Sequence, residues 1–297
     1  MGLGIAAVQL NLELWQRGLF KDIQSVMDIG AQELHLKRQD FEDLLHCAKV
    51  TDEERNLFAG TRAWPASAEA FYKILGARDY SCIDLNGRYG AVVLDLNYPL
   101  KDKALYHKYD LVADHGSCEH AFNVAEAYRS MHWMCKPQGV ITIVQALWRG
   151  NGYYLFDRPF FEGIAAANNY KTIFSSYIVT LAALTPAGSI TQFHLPLSQN
   201  ILDCIDLSKV NSIEICYVFQ KHSDADFRFP YQPDYLSLLK QTNGNFGMQH
   251  SFGHPSSSRA GTPVYEPVLE CIKTKVLLRH ISQRLFGRAK RMLRLKQ

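Results

Sequence analysis

The sequence predicts an α/β fold in which helices cover both faces of a doubly wound, mostly parallel sheet. Three observations carry this. First, in Tyr109-Asp110-Leu111-Val112-Ala113-Asp114-His115-Gly116-Ser117-Cys118-Glu119-His120 a β-type apolar run ends in a polar cluster that reads as a helix opening. Second, Lys136-Pro137-Gln138-Gly139 breaks that helix before another apolar run at 140–144. Third, short apolar runs near 23–29 and 80–85 alternate with stretches of helical period, the pattern of parallel strands joined by crossovers. In such sheets ligands bind beyond the carboxyl ends of the strands, so a strand that runs into Asp, His, Glu and His marks a site.

In chain order, Ile5, Val8, Leu12, Trp15 and Leu19 recur at helical spacing and predict an N-terminal helix over 5–20, within a leading segment 1–22. A strand follows at 23–29. Residues 36–78 read as a helical insertion: Phe41, Leu44, Leu45 and Ala48 share one face, Phe71, Ile74 and Leu75 another, and Trp64-Pro65-Ala66-Ser67 precedes the second as a cap. Strands are expected at 80–85, 91–96, 109–113 and 139–145, with a helix over 120–134, in which Phe122, Ala125, Tyr128, Met131 and His132 keep the helical period. After an aromatic stretch at 148–161, a helix is expected over 160–168, and strands over 172–180 and 212–220. The connection 181–211, with Pro186, Gly188 and Pro196, reads as a cover over the substrate. The main domain is thus 23–222. Residues 223–270 are linker-like, since 242–265 is rich in Gly, Pro, Ser, Thr, Asn and His, and 271–297 forms a basic C-terminal helix.

Tyr109-Asp110-Leu111-Val112, then Glu119-His120, then Lys136-Pro137-Gln138-Gly139 resembles the fourth and fifth strands of class I S-adenosylmethionine-dependent methyltransferases. Val26-Met27-Asp28-Ile29-Gly30-Ala31-Gln32 resembles that family's first strand and glycine loop, with Asp28 and Gly30 in place and Gln32 and Leu34 where two further glycines are usual. The resemblance covers roughly residues 23–220. It implies a seven-stranded Rossmann-like sheet, S-adenosyl-L-methionine as cofactor, and transfer of its methyl group to a small-molecule acceptor. A sugar or a natural-product intermediate is the expected acceptor, with oxygen favoured over nitrogen.

The resemblance also assigns residues. Asp28, Gly30, Ala31 and Gln32 form the first loop. Asp84, ending Tyr80-Ser81-Cys82-Ile83, takes the ribose hydroxyls, for which a carboxylate offers several acceptor sites and no donor; Leu85 adjoins it. Asp95 and Leu96 stand near the adenine, and Asp114 and His115 complete the cofactor set. The alternative for Asp84 and Asp95 is turn formation, because Asp-Leu-Asn occurs at both places. His115 and His120 are the candidate bases, since imidazole titrates near working pH; the alternative is a loop histidine that lines the pocket or packs beneath the loop. Glu119, Trp148, Tyr153 and Tyr154 are the candidate substrate contacts, with aromatic rings giving rigid apolar surface. No metal is expected, because Asp114, His115, Glu119 and His120 straddle a loop-to-helix junction without a further dispersed ligand.

Composition narrows the class. At 297 residues, 47% hydrophobic and 21% charged, the chain is that of a folded globular protein. Seven scattered cysteines with no C-x-x-C pair argue against a disulfide framework or a zinc site. Residues 1–10 lack a secretory pattern and no apolar run reaches the ~20 residues of a membrane span, so a cytoplasmic location is expected. The net charge of +3 hides an asymmetry: 271–297 holds nine Lys or Arg and no acid, which leaves 23 basic against 29 acidic residues, a net −6, over 1–270. That tail suits peripheral contact with an anionic membrane surface; no nucleic-acid partner is expected, for no stacking motif accompanies it. Two rivals stand beside methyl transfer. One is a catalytically inactive binding protein that keeps the fold, motivated by Gln32 and Leu34. The other is a nucleotide-dependent reductase, which needs a G-x-G-x-x-G that is absent.

Overall fold

The computed structural model describes residues 2–59, 63–181 and 191–232. Its main sheet has seven strands in the order β4-β2-β5-β6-β9-β7-β8. They are β2 (Ser25–Ile29), β4 (Asp79–Ile83), β5 (Tyr109–His115), β6 (Cys135–Trp148), β7 (Lys171–Leu181), β8 (Gln192–Pro196) and β9 (Val210–Gln220). The pairs β2–β4, β2–β5 and β5–β6 are parallel, and β6–β9, β9–β7 and β7–β8 antiparallel. Two short strands outside it, β1 (Gly2–Leu3) and β3 (Glu33–Leu34), pair in parallel.

Strand side chains alternate between faces, and each face has its own core. On one, Met27, Ile29, Val112, Ile141, Ile143 and Phe219 pack against Tyr128 and Met131 of α5 (Val124–Met134) and Phe161 and Ile164 of α6 (Arg158–Ala167). On the other, Val26, Leu111, Ala113, Cys216 and Val218 pack against Leu10 and Leu14 of α1 (Ile5–Gln16), Phe41 and Leu45 of α2 (Arg38–Cys47), and Phe71 and Ile74 of α4 (Ala68–Ile74). All five residues of β2 are buried, as a strand covered on both faces requires. Each fully buried Phe or Leu here stabilises the fold by about 1.5–3 kcal/mol. Asp110 fixes where the strands start. Its Oδ2 accepts from the Gln24 and Ser25 amides at 3.1 and 2.9 Å, and its Oδ1 from Lys136 Nζ at 2.7 Å.

The insertion is helical, with a third helix, α3 (Asp52–Ala59), between the two expected ones. Ser67 caps α4 by accepting from the Glu69 amide at 3.2 Å. Elsewhere the chain departs from expectation in four places. The strand expected at 91–96 is reduced to one bridge, Ile83 with Val92. Val92 and Val93 are exposed, and between 97 and 109 only a 3-10 turn (Lys103–Leu105) intervenes, so no crossover helix covers residues 91–96. The helix expected from 120 starts at Val124, because Asp114 Oδ1 takes the Ser117 and Cys118 amides and winds Cys118–His120 into a 3-10 turn first. Lys136-Pro137-Gln138-Gly139 does not precede β6 but forms a bulge inside it, with Gln138 at φ 67° and the register jumping between Tyr109 and Leu111. The seventh strand is β8, which lies within the connection expected as a cover and hydrogen-bonds along β7; α7 (Gln199–Leu202) follows it. The part of that connection at 182–190 lies outside the described residues.

Residues 221–229 stay on the core. Lys221 is fully buried, His132 Nε2 lies 2.8 Å from the Ala225 carbonyl, and Phe227 packs on the His132 ring. Residues 233–270 of the expected linker and the basic tail lie outside the described residues. Among the described residues no helix is long and apolar enough to cross a membrane.

Candidate functional site

From β2 the chain moves outward to β4 and then returns to β5 on the other side, so the direction of winding reverses between β2 and β5. Beyond the carboxyl ends of these strands two cavities adjoin the loop after β5. The smaller, about 170 Å³, is lined by Gly30 from the loop after β2, Asp84 and Leu85 from the end of β4, Leu94 to Asn97, and Ser117, His120 and Ala121. The larger, about 460 Å³, is lined by Gly2, Gly4 and Ala7 from the N-terminal segment, His115, Gly116 and Glu119, Val144 to Ala146 and Trp148 to Asn151 from β6 and its loop, and Ile178, Gln192, Asn211, Ser212 and Glu214 from the far strands.

The glycine loop is built around Gln32. Gly30 sits at φ 96°, and a Cβ there would lie 2.4 Å from Ser117 Oγ and 2.8 Å from Gln32 Nε2. Gln32 is fully buried and donates to the Ile29 carbonyl at 2.7 Å and to Ser117 Oγ at 2.9 Å. The side chain that replaces a glycine therefore ties the first loop to the loop after β5. Asp84 adds a second tie, its Oδ2 accepting from the Ala31 amide at 2.9 Å and its Oδ1 from the Asn86 amide at 3.1 Å. A carboxylate has about four acceptor positions, so two remain for a ligand. Asp95 closes a turn through the Asn97 amide, at 2.9 Å, and still lines the smaller cavity.

Of the residues expected to hold cofactor, the smaller cavity gathers Gly30, Asp84, Leu85, Asp95 and Leu96. Asp28, Ala31, Gln32 and Asp114 do not line it. Asp28 lies beneath the loop, fully buried, with the Tyr80 hydroxyl donating to its Oδ2 at 2.9 Å. Burial pushes its pKa up to about 8, against the lowering effect of the Tyr80 and Tyr72 hydroxyls. Asp114 is fully buried too, holding the Ser117 and Cys118 amides and the Gln145 side chain. Burial raises its pKa to about 6, tempered by those bonds.

The two candidate bases fall on opposite sides of the loop. His115 lines the larger cavity and His120 the smaller. His115 is 4% exposed, and neither ring nitrogen has a partner among the described residues. Burial drives its pKa down to about 4, so the ring is neutral near pH 7. Between them Glu119 Oε2 accepts from the Ala146 amide at 2.9 Å, and its Oε1 faces His120 Nε2 at 3.7 Å. Burial raises the Glu119 pKa. Gly152 is required here, since a Cβ would lie 2.6 Å from the Glu119 carbonyl oxygen.

Of the expected substrate contacts, Glu119 and Trp148 line the larger cavity, and Tyr153 and Tyr154 do not. Tyr153 is 71% exposed and meets Phe122 edge-on, while Tyr154 donates to the Phe122 carbonyl at 2.6 Å. Phe156, Phe160 and Phe161 pack with Tyr128 in the core. The sequence reading missed Gln192 and Glu214, which reach the larger cavity from β8 and β9, and Gln145, which lines it from β6 while its side chain turns to the other face and bonds Asp114. Gln145 is fully buried with an unpartnered Oε1, and Glu214 has an unpartnered Oε2. Burial raises the Glu214 pKa to about 7, the Ser212 hydroxyl opposing and Glu119 adding to the rise. Among the described residues no group of three or more His, Cys, Asp or Glu is placed to hold a metal ion.

No family model matches the chain, and no curated protein does. Solved structures do. A 1,6-didemethyltoxoflavin-N1-methyltransferase from Burkholderia thailandensis, with 1,6-didemethyltoxoflavin and S-adenosylhomocysteine bound, is 14% identical over 73% of this chain and 79% of its own, with a TM-score of 0.37. A putative sarcosine dimethylglycine methyltransferase from Galdieria sulphuraria is 11% identical over 72% of this chain and 86% of its own, with a TM-score of 0.38. A SAM-dependent methyltransferase from Archaeoglobus fulgidus is 11% identical over 72% of this chain and 94% of its own, with a TM-score of 0.36. At such scores these are likenesses only, and the strand order and the residues around the two cavities stand on their own geometry.

Proposed function

We propose that this chain is an S-adenosylmethionine-dependent methyltransferase acting on a small molecule. The observation that carries the reading is the pair of cavities at the switch point, divided by one loop, with strand-end carboxylates in the smaller. The residues fit the cofactor. Asp84 keeps acceptor positions for ribose hydroxyls, Gly30 opens the backbone, and Asp95 with Leu96 flanks the place of a base. Ligand sites commonly span ~300–1,000 Å³, so the smaller cavity, about 170 Å³, suits the nucleoside end, with the remainder reaching past Gly116 toward the larger. When bound, the cofactor supplies an electrophilic methyl group.

The chain's own part is placement and proton handling. The walls of the larger cavity hold the acceptor and exclude water; positioning of that kind supplies up to roughly 7–11 kcal/mol in favourable cases. His115 and Glu119 are the groups placed to accept a hydrogen bond from the acceptor atom. Neutral His115 polarises a hydroxyl rather than storing its proton, and Glu119, with its raised pKa, is the better proton sink. Oxygen remains the favoured acceptor atom, in a sugar-like or natural-product molecule.

A second reading, an inactive scaffold, is favoured by one observation: Gln32 and Ala31 fill the first loop with bonds of their own. Calorimetry with S-adenosylhomocysteine separates the two. Binding is expected in the micromolar range, and Asp84→Ala should weaken it several-fold or more through loss of a charged acceptor. An intact chain that does not bind would leave the scaffold reading, and tight binding by Asp84→Ala would remove Asp84 from the site.

A further inference from the structure

The larger cavity is asymmetric in hydrogen bonding. Glu214 Oε2 and both His115 nitrogens, on the face of the sheet that this cavity adjoins, are buried without partners among the described residues; Gln145, next to Ala146 in β6, turns its side chain to the other face, where it donates to Asp114. A neutral imidazole offers one donor and one acceptor. The unmatched set is therefore two acceptors to one donor, and each such group costs free energy until a ligand pairs it. Glu119 and Glu214 both line this cavity and both adjoin Ala146. Ala146 gives its amide to Glu119 Oε2 at 2.9 Å and is itself the cross-strand partner of Glu214. Among the lining residues only Arg149 is a fixed cation, and its guanidinium lies 4.2 Å from the centre of the Trp148 ring. An anionic ligand would face two carboxyl groups, and an apolar one would leave the acceptors unpaired.

We infer that this cavity takes an amino-bearing polyol, whose ammonium lies between Glu119 and Glu214 and one of whose hydroxyls meets His115. That this molecule is the methyl acceptor rests on the methyl-transfer reading; that it binds does not. An ammonium has only donors to give, which suits the two acids. A hydroxyl both gives and accepts, which suits the mixed needs of the imidazole. Each acid already spends one oxygen, Glu119 on the Ala146 amide and Glu214 on the Ser212 hydroxyl, but Glu119 Oε1 also faces His120 at 3.7 Å while Glu214 Oε2 has no partner among the described residues, so Glu214 sets the preference.

The test is a calorimetric titration of the full chain with 1-amino-1-deoxysorbitol and, in parallel, with sorbitol, which differ only in the ammonium. The amine should bind at least tenfold more tightly, and Glu214→Gln should abolish that preference while unfolding midpoint and S-adenosylhomocysteine affinity stay as in the parent. Equal affinities on the parent chain, or a preference that survives Glu214→Gln, overturns the inference. The comparison on the parent chain decides the matter even if the variant does not fold. An amine preference without cofactor binding sinks methyl transfer and leaves the ligand class standing; cofactor binding without the preference does the reverse.

Discussion

His115 shows how much chemistry burial can change in one side chain. A loop imidazole would titrate near 6.5, yet at 4% exposure and with no partner its pKa falls to about 4. His115→Ala should lower turnover far more than cofactor affinity, because the ring faces the larger cavity and not the smaller; steady-state kinetics beside calorimetry would show it, and unchanged turnover would reduce His115 to a wall. Asp28 gives a pH test. Its pKa is near 3.8 in the unfolded chain and about 8 in the fold. Below pH 4 both states hold the proton and burial carries no penalty. Between about 4 and 8 the unfolded chain has released its proton and the fold has not, so stability falls with rising pH by on the order of 1.4 kcal/mol per unit. Asp28→Asn keeps an acceptor for Tyr80 and cannot ionise. It should match the parent near pH 4 and be the more stable by several kcal/mol at pH 8 in urea melts; a gap that does not change with pH would refute the assignment. Asp84, His115 and Glu119 could be named from the sequence because each ends a strand or follows one in the next loop, and Asp95 because the family resemblance points to it, although no strand forms there. Glu214 and Gln192 could not: they come from strands far along the chain, and alternation alone does not say which residue of a strand end reaches a site formed by other elements.

Strands with cores on both sides were the easiest elements to read, for continuous apolar runs such as Val26-Met27 and Leu111-Val112-Ala113 need two covering layers. The edges were harder. Residues 91–96 have the composition of a strand, but only packing can decide whether a strand forms, and no α-helix follows them before β5 to cover one. In the other direction, β8 carries His194, whose Nε2 lies 2.9 Å from the Ala6 carbonyl, so an element that read as a cover instead fastens α1 to the sheet. A parallel case joins α5, β6 and the chain after β9. Lys221 is fully buried, and its Nζ donates to the carbonyls of His132 and Cys135 at 2.7 and 2.8 Å. Carbonyls at a helix end have no partner within the helix, and a cation there is favoured by the helix dipole. Lys221→Met keeps the apolar stem and strands both carbonyls. It should cost roughly 2–4 kcal/mol, read as a lower urea midpoint with unchanged slope, while S-adenosylhomocysteine affinity holds. A neutral effect would mean that the carbonyls find water when the amine is gone.

Taken whole, the molecule sets an acidic body against a basic end. Residues 1–270 carry a net −6 and residues 271–297 nine positive charges with no acid. The described chain is still tied to the core at 227–228, and the Gly-, Pro- and Ser-rich stretch 242–265 separates that point from the tail in sequence. Asn168 Nδ2 donates to the Arg228 carbonyl at 3.0 Å, the Arg228 amide returns to Asn168 Oδ1 at 2.8 Å, and Phe227 fills the space beside His132. Deleting 271–297 should therefore leave the unfolding midpoint and cofactor affinity as they are in the full chain. The job proposed for the tail is to hold the enzyme at an anionic surface, where each basic residue contributes about 1 kcal/mol. Co-sedimentation with anionic vesicles tests both halves at once. The full chain should bind, the truncated chain should not, and binding should weaken as salt rises, because charges beyond about 10 Å are screened at 0.1 M. Vesicle binding by the truncated chain would move the contact to the body, and loss of folding on truncation would make the tail part of the core.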